Sequence, residues 1–525
     1  MLPYATLCEA LDAACGEPRV LRHVGAGGRE RDLDSAVLHE RALGLLHHLQ
    51  RAGAGPGDHL MLVLDNNEPL VDAFWAALLG RIVPVPVAAG TTDEHQRKVF
   101  RIFESLDAPM VCTSAAVLER LCADDHGDTR GLSGALRERS VLLDRIDDLS
   151  TPGERERIAE GDIAFIQYSS GSTNAPKGVV LTHRNLLSNI DAIIAGARIT
   201  RDDSLLSWMP LTHDMGLIGF HLVPIVLGID HTIMATDLFV RRPALWLELA
   251  TRYGATILCS PNFGYRHYLK AYRPERARDL DLSRVRLIFN GAEPISAELA
   301  REFTRTMAAH GLDASSMYPV YGLAEASLAV SFPPVGRALG EILVDRDALG
   351  VGAEVVVHAS RGPRSTGFVG VGAPIAHCEV RITGDDHQAL PAGRVGHVEI
   401  RGDNVCAAYH GGVVDDDMPF VGEGWLDTGD LGFQADGELY ITGRAKDMIC
   451  VHGHNYFPND LESVAEMSEH AEPGRVAVCG TTTRRLPPIA CCCSCSIAAM
   501  RHRSRRRPGR CARTWAARPV SRLPR

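Results

Sequence analysis

The run Tyr168-Ser-Ser-Gly-Ser-Thr-Asn-Ala-Pro-Lys-Gly178 places four serine or threonine hydroxyls and one lysine among three glycines or prolines, all within eleven residues. A loop of this kind offers hydroxyls, backbone N–H donors and a cation together, a combination that suits a phosphate group. It departs from the Walker loop, whose G-x-x-x-x-G-K-[ST] pattern needs a glycine where Pro176 stands. The plain alternative is an ordinary Gly/Ser/Thr turn with Lys177 as a solvated surface lysine. Glu325 stands four residues after Tyr321 in Tyr-Gly-Leu-Ala-Glu. A helix beginning near Gly322 would put Glu325 in its first turn, where an acid can also do no more than favour the N-terminus. Asp430, in Thr-Gly-Asp, reads by itself as a turn residue. His213 is set among Trp208, Met209, Met215, Leu217, Ile218 and Phe220, a density of apolar groups that equally fits plain core packing.

The elements around these residues alternate. The apolar stretch Ile163 to Tyr168 reads as a strand leading into the loop, and Asn185 to Ala197 reads as the helix that follows. Further strands are expected at His59–Leu64, Ile82–Val87, Pro109–Cys112, Ser140–Asp144, Ala255–Cys259 and Val285–Asn290, with Glu68–Leu79 at helical spacing between the first two. Strands alternating with helices predict parallel sheets covered on both faces, with functional loops beyond the carboxyl ends of the strands. From about Ile342 the pattern changes to short alternating strands, as in Cys378–Ile382, Gly396–Ile400 and Gly437–Ile441, which predicts a β-rich subdomain. The fold class expected is α/β. Two layered subdomains and the β-rich one (about 342–445) are expected within a large N-terminal domain; its bounds, 1–445, and the start of a small α+β domain over 446–480 are what the family resemblance given below implies.

Composition excludes several classes. The chain of 525 residues carries a net charge of −10, made of −22 over residues 1–480 and +12 over 481–525, where there are twelve arginines and no lysine or acid. A body that acidic is not a nonspecific nucleic-acid binder. No stretch of 18 or more apolar residues appears, so no membrane span is expected. The N-terminal residues lack a basic leader pattern. The nine cysteines before residue 480 have no metal-like spacing, and a reducing cytoplasm is the expected compartment.

Six further segments fall in a fixed order: Trp208-Met-Pro-Leu-Thr-His-Asp-Met-Gly-Leu-Ile-Gly219, Asn290-Gly-Ala-Glu-Pro294, Tyr321-Gly-Leu-Ala-Glu-Ala326, Gly424-Trp-Leu-Asp-Thr-Gly-Asp430, Gly443-Arg-Ala-Lys-Asp447 and Gly453-His-Asn-Tyr-Phe-Pro458. With the loop, they resemble the adenylate-forming superfamily, and the first resembles fatty acyl-AMP ligases in particular. The resemblance implies ATP and Mg²⁺ as cofactors and a fatty acid as substrate, with acyl transfer to a carrier-protein phosphopantetheine. An acyl-CoA synthetase, or a non-catalytic nucleotide- or acyl-binding protein, is the alternative. It implies that Ser169, Ser170, Gly171, Ser172, Thr173 and Lys177 meet the phosphates. Glu325 would hold Mg²⁺, while Tyr321 and Gly322 with Gly291, Ala292 and Glu293 would meet the adenine. Asp430 and Arg444 would grip the ribose, and Lys446 would be the hinge. Trp208, His213, Met215 and Ile218 would line an acyl tunnel, with His213 beside the reacting carboxylate. No acid marks a grip for an α-amino group, which disfavours an amino-acid substrate.

The resemblance stops near Gly480. Family members carry a lysine close to the C-terminus that bridges the carboxylate and the α-phosphate, whereas this chain has no lysine after Lys446. Loss of such a donor typically costs ~10²–10³ in rate. Residues 481–525, with Cys491-Cys-Cys-Ser-Cys495 and Arg501-His-Arg-Ser-Arg-Arg-Arg507, show no helix or strand period. Their bias is the one a shifted reading frame of a GC-rich gene yields. A disordered tail and a poorly packed stub after Lys446 are the expectation.

Overall fold

The computed structural model describes residues 2–123, 131–169, 176–411, 420–451, 454–458, 461–462, 476–480 and 489–493. Its largest sheet has seven strands in the order Met317–Pro319, Leu287–Asn290, Ile257–Cys259, Leu205–Ser207, His231–Met234, Leu21–Val24 and Glu30–Leu33. All neighbours are parallel except the last pair. A second sheet, Val83–Pro86, His59–Val63, Met110–Thr113 and Ser140–Leu142, is parallel throughout. The central strands are buried on both faces, which explains their unbroken apolar runs. The helix Asn67–Leu79 is likewise buried almost all round, and the Asn66 side chain caps it by accepting from Glu68 N. This is the mixed α/β architecture that the alternation predicts.

Three elements around the site differ from expectation. The strand Ile163–Ser169 turns back on an antiparallel partner, Lys177–Thr182, and the helix His183–Gly196 starts only after it. The loop is therefore the tip of a hairpin and does not open directly onto a helix. Val179, Val180 and Leu181 favour the strand, and a capping box between Thr182 and Asn185 fixes where the helix begins. No helix starts near Gly322. Tyr321–Gly322 is a short strand, and Glu325 lies on a single 3₁₀ turn, Ala324–Ala326, closed by Ser327 at φ 65°. Asp430 belongs to the long strand Trp425–Ala435, paired with Glu438–Arg444 so that Asp430 stands opposite Arg444.

From Glu341 onward the strands are antiparallel: Glu341–Asp345 with Ser365–Val369, and Cys378–Thr383, Gly396–Gly402, Trp425–Ala435 and Glu438–Arg444 in sequence. After Lys446, Ile449–Val451 pairs with His454–Tyr456. Phe457 is buried among Val344, Leu431, Phe433 and Tyr440, so this segment is packed onto the β-rich core at that point. It fits because Gly443 has no side chain; a Cβ there would stand 2.5 Å from the Phe457 ring. Beyond residue 480, Ile489–Cys493 pairs antiparallel with Val476–Gly480, a strand where none was expected. The rest of 481–525, including Arg501 to Arg507, lies outside the described residues.

Candidate active site

The chain leaves the large sheet at the carboxyl ends of three of its parallel strands: after Leu205–Ser207 towards His213, after Leu287–Asn290 towards Ala292, and after Met317–Pro319 towards Tyr321. There these loops meet the hairpin and the strand pair of the β-rich part around a cavity of about 700 Å³. Ligands gather at such strand ends because the loops can present side chains and free backbone groups there.

One end of the cavity is polar. The Tyr321 hydroxyl donates to Asp430 Oδ2 at 2.7 Å, and Arg444 Nε lies 3.6 Å from Asp430 Oδ1. Asp430 is reached through Gly429 at φ 74°, with Gly429 N donating to Asp427 and Asp430 N donating to Thr428 Oγ1. Burial pushes the Asp430 carboxyl up to about 6 against the pull of the Tyr321 hydrogen bond and Arg444, with Glu325 and Asp427 adding to the rise. Glu325 Oε1 accepts from the Tyr409 hydroxyl at 2.7 Å, and Lys177 Nζ sits 5.4 Å from the centre of the Tyr409 ring. Lys98 and Lys446 also line this cavity, and burial lowers the Lys98 ammonium.

The other end is apolar, walled by Ile193, Leu205, Met215, Phe220, Phe289 and Phe332. Phe289 makes edge-to-face contacts with Phe220 and Phe332. His213 also lines the cavity. Its Nδ1 lies 2.6 Å from Asp214 Oδ1. Burial opposes the charged ring, but the charge and hydrogen bond of Asp214 outweigh it and hold His213 above its ordinary value. Immediately after, Met215–Leu222 winds as a π-helix, a form often found at functional sites. Gly216 makes that turn possible, since a Cβ there would lie 2.2 Å from the Pro210 carbonyl oxygen.

The structure gathers Lys177, His213, Met215, Ala292, Tyr321, Gly322, Glu325, Asp430, Arg444 and Lys446 into this one cavity. Four residues from the same motifs are elsewhere. Trp208 stacks on Phe239 with ring centres 3.9 Å apart, and Ile218 is buried in the core; neither borders the cavity. Gly291 abuts Val320, where a Cβ would meet Val320 Cγ2 at 2.9 Å. The Glu293 carboxylate turns away to accept from Phe263 N, at the start of the helix Asn262–Ala271. Ser170, Gly171, Ser172 and Thr173, and the side chain of Ser169, lie outside the described residues.

Sequence reasoning missed Tyr409, Lys98 and Phe289. Tyr409 follows Cys406-Ala-Ala with no spacing that announces chemistry, and only strand pairing brings it to Lys177 and Glu325. Glu325 is a single carboxylate, and the described residues hold no cluster of three or more metal-ligating side chains. That donor set suits Mg²⁺, which binds through one or two carboxylates and completes its shell with water and substrate phosphates. Among the described residues, no helix is long and apolar enough to cross a membrane.

A family model for the AMP-binding enzyme matches residues 17–410. The chain is 33% identical over 486 residues to the long-chain-fatty-acid–AMP ligase FadD32 of Mycolicibacterium smegmatis, covering 88% of this chain and 76% of that protein. It is 31% identical over 445 residues to the medium-chain-fatty-acid–[acyl-carrier-protein] ligase JamA of Moorena producens, covering 82% and 74%. A solved structure of a fatty acid AMP ligase from Legionella pneumophila superposes with a TM-score of 0.77 at 30% identity, covering 92% of this chain and 84% of that one.

Proposed function

Because the chain belongs to the AMP-binding enzyme family, we propose that it activates a fatty acid with ATP to an acyl-adenylate and passes the acyl group to a carrier-protein phosphopantetheine. The observation that carries this reading is one cavity lined both by polar groups suited to a nucleotide, Asp430, Arg444, Glu325 and Lys177, and by largely aromatic apolar walls, with His213 also on its lining. In the reaction a carboxylate oxygen bonds to the α-phosphorus of ATP as the bond to pyrophosphate breaks. Two anions must meet, so positive charge and pre-oriented donors dominate the energetics.

Asp430 accepts from the ribose hydroxyls, Arg444 steadies that carboxylate, and the Tyr321 ring gives the adenine a flat face. Ala292 and Gly322 bring main chain to the base edge. Lys177, with the hydroxyls of Ser169, Ser170, Ser172 and Thr173 and the backbone of Gly171, holds the β- and γ-phosphates. Mg²⁺, when bound at Glu325, neutralises phosphate charge. His213 orients the fatty-acid carboxylate, and Met215 with the phenylalanines takes the chain. Lys446 is the hinge, and residues 447–525 supply no further lysine to the first half-reaction. In relatives named for transfer to a carrier protein the acceptor is a protein, and the same acceptor is proposed here.

The test is product analysis. The chain is incubated with ATP, Mg²⁺ and a set of fatty acids, with CoA or a holo carrier protein as acceptor. Acyl-AMP and pyrophosphate should accumulate slowly, with transfer to the carrier protein and little to CoA. Rapid acyl-CoA formation would move the assignment to an acyl-CoA synthetase.

A further inference from the structure

Tyr409 is held from two sides. Its main chain rides on the strand that carries Lys177: His410 N donates to the Gly178 carbonyl at 2.7 Å, and Val180 N donates to the Ala408 carbonyl at 3.2 Å. Three residues earlier, Cys406 N donates to the Glu325 carbonyl at 2.7 Å, and Asn404 Nδ2 donates to the carbonyls of Ala326 and Ala329. Ser327 Oγ donates to the Asn404 carbonyl. Residues 404–410 thus clamp the turn of Glu325 to the hairpin of Lys177. Gly178 leaves room for this, since a Cβ there would come within 3.2 Å of His410 Cβ and 2.9 Å of the Tyr168 ring.

The side chain repeats the link. Its hydroxyl donates to Glu325 Oε1 and its ring lies beneath the Lys177 ammonium. With Oε1 engaged, the carboxylate is fixed in rotation and Oε2 is the oxygen left to turn towards a cation. The ring keeps Lys177 beside the cavity without cancelling its charge, as a carboxylate partner would.

We infer that Tyr409 is a positioning residue that sets Glu325 for the cation through its hydroxyl and Lys177 for the phosphates through its ring, as two separable functions. The inference rests on the nucleotide-site reading above. Partners that orient a metal ligand are typically worth 10–100-fold in metal affinity. Tyr409 is buried, and a cation against its ring is worth at least roughly 0.5–1 kcal/mol, or about two- to fivefold.

The experiment uses the full chain and three forms: wild type, Tyr409→Phe and Tyr409→Leu. ATP affinity is measured by calorimetry in EDTA, and Mn²⁺ affinity is measured by electron paramagnetic resonance at saturating ATP. The Phe variant should bind Mn²⁺ about tenfold more weakly while its metal-free ATP affinity is unchanged. The Leu variant should show the same Mn²⁺ loss and, in addition, a two- to fivefold loss of metal-free ATP affinity. Mn²⁺ binding in the Phe variant at the wild-type level would overturn the inference. So would equal losses of metal-free ATP affinity in both variants, which would mean that the residue only supports the fold. A wild type that binds neither ATP nor Mn²⁺ would overturn the nucleotide-site reading and this inference with it.

Discussion

The two ends of the cavity are built in opposite ways. At the polar end the functional groups are paired: Tyr321 with Asp430 and Glu325 with Tyr409 across distant parts of the chain, and Asp430 with Arg444 on the adjoining strand. These pairs leave atoms free to face a ligand while fixing the direction in which they point. At the apolar end the walls are phenylalanines and aliphatic residues whose other faces belong to the core. Nothing there is directional, and the shape alone decides what fits. The polar end should therefore respond to single-atom changes, the apolar end only to changes of volume.

Asp430→Ala should give the largest effect. It removes the proposed ribose acceptor and the carboxylate to which the Tyr321 hydroxyl donates, a loss of about 1.5–3 kcal/mol, or roughly 10–100-fold in ATP affinity by calorimetry. Unchanged affinity would remove Asp430 from the site. The same residue predicts a pH dependence. Its carboxyl is raised to about 6 in the free protein, so it is ionised above that value and protonated below it. Since the ribose hydroxyls need an acceptor, ATP affinity should be level above pH 6 and fall as pH drops through 6. Asp430→Asn should lose that step while keeping an acceptor for Tyr321.

A smaller and different response is expected at the apolar end. Gly219 borders the cavity, and a Cβ there would already stand 3.1 Å from Leu328 Cδ2. Gly219→Phe should fill the arm and shorten the longest fatty acid accepted, at about 0.8 kcal/mol for each methylene no longer buried. Its ATP affinity should match the wild type. A fall in ATP affinity of tenfold or more would mean the two ends are not separable. Smallest of all is Ile218→Val. It should cost about 0.5–1.5 kcal/mol in a denaturant melt and leave chain-length preference untouched, because Ile218 faces the core. A changed preference would return Ile218 to the tunnel wall.

The contrast between the ends also explains what could be read from the sequence. The parallel strands, the helix Asn67–Leu79 and the placement of Tyr321 and Ala292 at strand ends follow from apolar runs and their punctuation. The motifs located Glu325, Asp430 and Arg444 because the chemistry there needs particular atoms. Tyr409 was hidden because its role arises from a register between residues more than 200 positions apart, Val179 with Tyr409, which no local spacing encodes. Glu293 looked like part of the site, but helix capping claims its carboxylate. The apolar wall was read only in part. A period-matched phenylalanine or isoleucine is the same in sequence whether it faces a cavity or the core, so Trp208 and Ile218 were placed in the tunnel and Phe289 was not. The strand Ile489–Cys493 was passed over because its cysteines and alanine carry no alternation, although five small or apolar residues are enough to pair with Val476–Gly480.

The central claim is that one cavity holds an adenylate at one end and an acyl chain at the other. The most direct measurement is calorimetric titration of the full chain with AMP and with acyl sulfamoyl-adenosines of increasing chain length. Affinity should rise with each added methylene until the arm is full and then level off. Asp430→Ala should weaken every member of the series by the same factor, and Gly219→Phe should bring the plateau to a shorter chain. An affinity that does not change with chain length, or an AMP that binds as tightly as the longest analogue, would contradict the account.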